Sequence, residues 1–164
     1  MAWRPGSLAL SNATLSLPSG FSLAVTNDAA LVSGSSLIVT NPLTTAVGGS
    51  LLVSNSQVLI NGGTNAAVLS VARNLLVQDG GRLYVHSAPT NGQEGEYGAL
   101  VDIGHDLILT SNAWVYVYSH PTNGGSVLFR VRHLTVSGGT NSAGFYAAGT
   151  GYAGAIFMWI CQIT

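Results

Sequence analysis

Charge is the scarcest property of this chain: 7% of residues are charged, and all five basic residues are arginine, with no lysine. A net charge of −1 argues against nucleic acid or an anionic membrane, which both need a basic surface, and neither is expected as a partner. The single cysteine, Cys161, excludes an intrachain disulfide. Long hydrophobic runs are missing too, although the mean hydropathy is +0.40. The longest run, Ala153 to Cys161, falls well short of the roughly 18 residues a spanning helix needs. Extended back to Ala143 it stays uncharged but takes in four glycines, and no membrane span is expected. The stretch Met1 to Gly6 lacks the apolar segment of a signal peptide.

Glycine, serine, threonine and asparagine fill the chain instead, between short apolar bursts. Its 164 residues suit one domain with a real core. The bursts repeat. Residues 75–92 (LLVQDGGRLYVHSAPTNG) match residues 107–124 (LILTSNAWVYVYSHPTNG) at eight of eighteen positions, an offset of 32. Upstream, AVLSVARN (67–74) aligns with ALVDIGHD (99–106), and SVLFRVRH (126–133) continues the series once the segment Gln93–Tyr97 is deleted, which reads it as a loop. Before residue 51 the pattern is carried by Leu23–Asn27, Leu37–Asn41 and Leu51–Asn55, evenly spaced short units. Two such units are expected to make one turn.

Each aligned coil holds three apolar runs bounded by Gly, Asn, Ser and Pro, the signature of strands separated by turns. Stacked at a repeat, they predict an all-β chain: a right-handed parallel β-helix with coils of about 24–32 residues over 1–164. Residues 1–20 and 145–164 are the candidate caps. An antiparallel β-sandwich is the alternative, disfavoured because the same Pro-Thr-Asn-Gly turn recurs at one place in the repeat.

The coils, reading roughly L-x-V-x-x-G-x-x-L-x-V over residues 20–142, resemble the β-helical passenger and surface-repeat proteins of bacteria. The resemblance is architectural. It implies an extracellular or cell-surface setting and transfers no functional residue.

In a stack, residues at equal phase become neighbours. The outward positions of one strand then carry Arg82, Tyr84 and His86 above Trp114, Tyr116 and Tyr118, with His120 extending the row. Aromatic faces with polar tips suit a glycan or a protein partner. Arg82 above Trp114 is placed for a cation–π contact. The competing reading is a structural ladder of cross-strand pairs.

A second column runs along a turn: Arg73, His105 and Arg132, with Asn74, Asp106 and His133 beside it. The first three are candidates to hold an anion; Asp106 and His133 read as an ion pair more readily than as an acid–base couple. The enzyme alternative is a glycoside hydrolase or polysaccharide lyase on the outer face of 73–133. It would draw on Asp102, Asp106, Glu94, Glu96 or His133, with Asp102 aligned to Ser70 and Phe129. The histidines show no paired metal-ligand spacing, and no metal or cofactor is expected. The favoured function is a structural or binding module.

With so few charges to guard its edges, the chain is expected to form a homo-oligomer. The apolar segment Ile156–Ile160 would either cap the last coil or be carried by Gly149–Gly154 into a neighbouring subunit.

Overall fold

The computed structural model describes residues 1–41, 44–63, 66–89, 98–118, 127–137, 143–148 and 156–163, and among them there are strands and turns but no helix. The strands come in threes. The first coil is β1 (Ala2–Trp3), β2 (Leu8–Ser11) and β3 (Thr14–Leu17); the second is β4 (Ser22–Val25), β5 (Ala29–Val32) and β6 (Ser36–Thr40). The third is β7 (Thr44–Val47), β8 (Leu51–Ser54) and β9 (Gln57–Asn61); the fourth is β10 (Ala67–Val71), β11 (Leu75–Gln78) and β12 (Arg82–His86). In the fifth, β13 (Ala99–Thr110) runs through two faces before β14 (Trp114–Tyr118), and in the sixth β15 (Val127–Ser137) does the same before β16 (Gly144–Ala148). β17 (Ile156–Ile163) adds a further rung on β15.

All of these strands pair in parallel with the strand one coil away, which makes a parallel β-solenoid with three faces. The first face starts from β1, the second from β2, and the third is the six-stranded sheet β3-β6-β9-β12-β14-β16. Because side chains alternate across a strand, equal phase stacks like on like. Leu51, Leu75 and Leu107 form one inward column, and Val58, Leu83 and Val115 form another; all are at most 1% exposed. Each buried Leu or Val contributes roughly 1.5–3 kcal/mol, so the core is a sum of nearly identical layers. Thr45 interrupts a column between Leu23 and Leu69, and its buried hydroxyl has no hydrogen-bond partner.

Two kinds of corner turn the chain. Between the second and third faces, positive φ recurs at Asn12, Ser33, Asn55, Asp79 and Ser111, joined by Gly34 (φ 79°) and Gly80 (φ 82°). Only Gly, Asn, Asp and a few small polar residues visit that region at low cost, which is why this corner is written in them. The corner between the first and second faces uses a side-chain ladder. Asp28 Oδ1 accepts from the Ser50 amide (2.7 Å), Ser50 Oγ from the Asn74 amide (3.5 Å), and Asn74 Oδ1 from the Asp106 amide (3.3 Å). The backbone also approaches closely here: a Cβ on Gly104 would lie 2.3 Å from the Ala72 carbonyl oxygen.

The structure revises several expectations. Early coils are shorter than the range read from the repeat, since Ser22 pairs with Thr44 and Ala29 with Leu51. The evenly spaced early units therefore fall on different faces: Leu23 lies on the first, Leu37 on the third and Leu51 on the second. Three units make two coils, rather than two making one. Residues 1–20, a candidate cap, hold the strands of the first coil, in which Leu8 and Leu17 are buried while Trp3, beside Leu23, is 40% exposed. The backbone of Ile156–Ile163 is a regular rung, and Gly149–Gly154 lies outside the described residues.

Asp102 pairs with Ser70 and Arg130, not Phe129. The register shifts between Ile103 and Asp106: Ile103 pairs with Val131, and Asp106 already with His133, so one residue is lost on the way from the first face to the second. A uniform offset would have flipped the first-face strand and turned Phe129, 1% exposed, out of the core. No helix among the described residues is long and apolar enough to cross a membrane.

Candidate functional site

The third face changes character along the stack. Its outward residues are Gln57, Leu59 and Asn61 in β9, Arg82, Tyr84 and His86 in β12, and Trp114, Tyr116 and Tyr118 in β14. β16 adds Gly144 beside Trp114 and Tyr146 beside Tyr116. The inward partners Leu83, Val85, Val115 and Val117 are 0% exposed, so packing sends these aromatic rings outward.

The rings form a ladder. Tyr84 and Tyr116 have centroids 5.0 Å apart with planes 8° from parallel, and His86 and Tyr118 are 4.8 Å apart at 16°. Two rings lying side by side in one plane could not come so close, so these overlap face to face along the stack. Along β14 the centroid spacings are wider, 6.0 Å from Trp114 to Tyr116 and 6.4 Å from Tyr116 to Tyr118. Much of the π surface is thus turned toward neighbouring rings.

Tyr146 differs. It is 49% exposed, and its ring is tilted 55° to Tyr116 and 57° to Tyr118 at centroid distances of 6.0 and 6.2 Å. Its plane turns out of the ladder, and about half of the residue is open to solvent. Trp114 leans over the same rung, because a Cβ on Gly144 would lie 2.8 Å from Cζ3 of its indole.

The face is electrically quiet. Arg82 Nη1 donates to the carbonyls of Gly80 (2.7 Å) and Gly81 (2.9 Å), and to that of Asn112. No cation–π pair with Trp114 occurs among the described residues; instead the guanidinium ties the corner of one coil to the next. Burial lowers the pKa of His86 below its ordinary 6.5, favouring neutral imidazole. Burial, then the neighbouring Tyr146, Tyr116 and Tyr84, raise that of Tyr118, keeping its phenol protonated.

A shallow groove of about 230 Å³ runs along the corner beside Arg82, past Gly34, Asn55 and Gly80. Its polar groups are largely spent. The Ser35 amide donates to Ser56 Oγ (3.1 Å), Ser35 Oγ to the Val32 carbonyl (2.6 Å), and Gln57 Nε2 to Ser36 Oγ (3.0 Å).

The other candidates gather away from this face. Asp102 meets Arg130 at 2.8 Å, and Asp106 Oδ1 meets His133 Nδ1 at 2.7 Å, so each aspartate is matched with a base and not with a second carboxylate. Arg73, His105 and Arg132 are exposed at the corner between the first and second faces. Glu94, Glu96 and His120 lie outside the described residues. Among the described residues, no cluster of three His, Cys, Asp or Glu could hold a metal ion.

Sequence alignment missed Tyr146. Its signal was present: Gly144-Phe145-Tyr146 repeats the alternation of Trp114-Val115-Tyr116 one coil later. A different offset from the other faces, and a run of glycine and serine before it, concealed the match. Comparison with family models, curated proteins and solved structures returns no match. Geometry alone carries the reading.

Proposed function

We propose that the protein is a non-catalytic β-solenoid module that binds a neutral glycan on its third face, in the extracellular or cell-surface setting of the surface-repeat proteins it resembles. The observation that carries this is Tyr146, half-exposed and tilted out of the ladder, beside a row of partly exposed aromatic side chains. Sugar rings offer apolar C–H faces flanked by hydroxyls. They are matched by an aromatic face for contact and phenol and imidazole groups for hydrogen bonds. The charge state favours a neutral ligand, since Arg82 is committed to carbonyls and His86 is held neutral.

The experiment is a neutral-glycan array followed by calorimetry on any hit, with Tyr146→Ala and Tyr118→Phe compared to wild type. Each variant is expected to weaken binding roughly tenfold with little change in thermal midpoint. Tyr118→Phe keeps the stacking ring and removes only its hydroxyl. Unchanged binding in both variants, or turnover of chromogenic glycosides by the wild type, would overturn the proposal.

A further inference from the structure

The few charges of this chain are concentrated by the fold. At the corner between the first and second faces, Arg73, His105 and Arg132 occupy successive rungs. The His105 amide donates to the Arg73 carbonyl at 3.1 Å. On the other side the register passes from Ile103–Val131 to Asp106–His133, so Arg132 alone faces Gly104 and His105. All three side chains are exposed, and Gly104 places no side chain among them.

The nearby carboxylates are already taken, Asp102 by Arg130 and Asp106 by His133. Arg73 and Arg132 have no acidic partner among the described residues. Two rungs of a parallel stack separate them, roughly 10 Å. Side chains of this length reach inward across such a gap, and paired guanidinium forks match the oxygens of a sulfate or carboxylate.

We propose that this corner is a second binding site, for the sulfate or carboxylate groups of a linear acidic polysaccharide running along the solenoid axis. The cations follow one another along that axis, which suits a chain and not a compact ion. A nucleic acid fits less well, because no Phe, Tyr or Trp lies among residues 72–74, 104–106 and 132–133 on which bases could stack. The site is independent of the third face, since it lies where the other two faces meet.

The test measures binding of dextran sulfate, polygalacturonate, single-stranded DNA and uncharged dextran by calorimetry at low salt. With the third face disabled by Tyr146→Ala, the chain is expected to bind one or both polyanions and not dextran, which also identifies the acid group preferred. Arg73→Gln/Arg132→Gln is expected to lose at least about tenfold in affinity, while Tyr146→Ala keeps full affinity. Dextran sulfate or polygalacturonate titrated into wild type should move the His105 ring resonances in NMR and leave those of His86 unmoved, a readout independent of any variant's folding. Equal binding by the double variant, equal binding of dextran by Tyr146→Ala, tighter binding of single-stranded DNA, or a static His105 signal would each overturn the site.

Discussion

The coils before residue 62 and those after residue 66 are built on one inward plan and differ in almost everything else. One turn takes the early chain from Ala29 to Leu51 and the late chain by a longer path from Leu75 to Leu107, yet both pairs sit in the same buried column. The added length falls where the chain leaves the third face: residues 41–43 and 62–66 make that connection early, residues 87–98 and 119–126 later. Strands must match the coil beneath, backbone group by backbone group, so they cannot grow. Length changes fall between them: one residue is lost on the way from Ile103 to Asp106, and three are gained between Ser137 and Gly144 relative to Thr110 and Trp114. The outward face changes along the same direction, from Gln57, Leu59 and Asn61 to rings. The core sets the period of the stack, and function has room only on outward positions and at one corner.

The largest effect expected from this comparison concerns the shared core. Leu51→Ala and Leu107→Ala, in short and long coils, should each cost about 3 kcal/mol in urea unfolding, because both leave the same hole in one column. A difference above about 1.5 kcal/mol between them would mean that the longer connections, and not the column alone, govern core packing.

A smaller change of opposite sign is expected at Thr45. Its buried hydroxyl lies unpartnered between leucines, so Thr45→Val should raise stability by about 1 kcal/mol. Loss of stability would show that the hydroxyl has a role in the early coils that apolar packing does not replace.

The smallest effect separates the late coils by pH. His86 has a lowered pKa in the folded chain, so the unfolded chain takes up the proton first. Stability from this residue is complete above about pH 6.5 and declines as pH falls through that value toward the folded pKa. Wild type should therefore lose more stability than His86→Phe between about pH 7.5 and 5.5, measured by thermal melts. Equal losses would mean that the ring against Tyr118 titrates as freely as in the unfolded chain.

Much of this was legible from the repeat. The match of residues 75–92 to 107–124 placed Tyr84 over Tyr116 and His86 over Tyr118 correctly, because no insertion interrupts that segment. It also set Asp106 beside His133. It misplaced Asp102 because one residue is absorbed at Gly104–His105, and a single offset cannot describe a strand that shifts register midway. It missed Tyr146 because the third face has an offset of its own. The cation–π expectation for Arg82 failed for another reason: three carbonyls gathered at the corner, those of Gly80, Gly81 and Asn112, hold the guanidinium instead.

What the sequence by itself determined is the class of fold and the composition of its layers. Alternating apolar residues broken by Gly, Asn and Ser, repeated with the same turn at the same place, favour stacking, and period and turn chemistry follow from local preferences. Tertiary structure alone decided the register between coils, the partners of Asp102, Asp106 and Arg82, and the tilt of Tyr146 out of the ladder. Those depend on contacts between residues a whole coil apart in the chain, where one residue more or less at a corner changes which side chains meet.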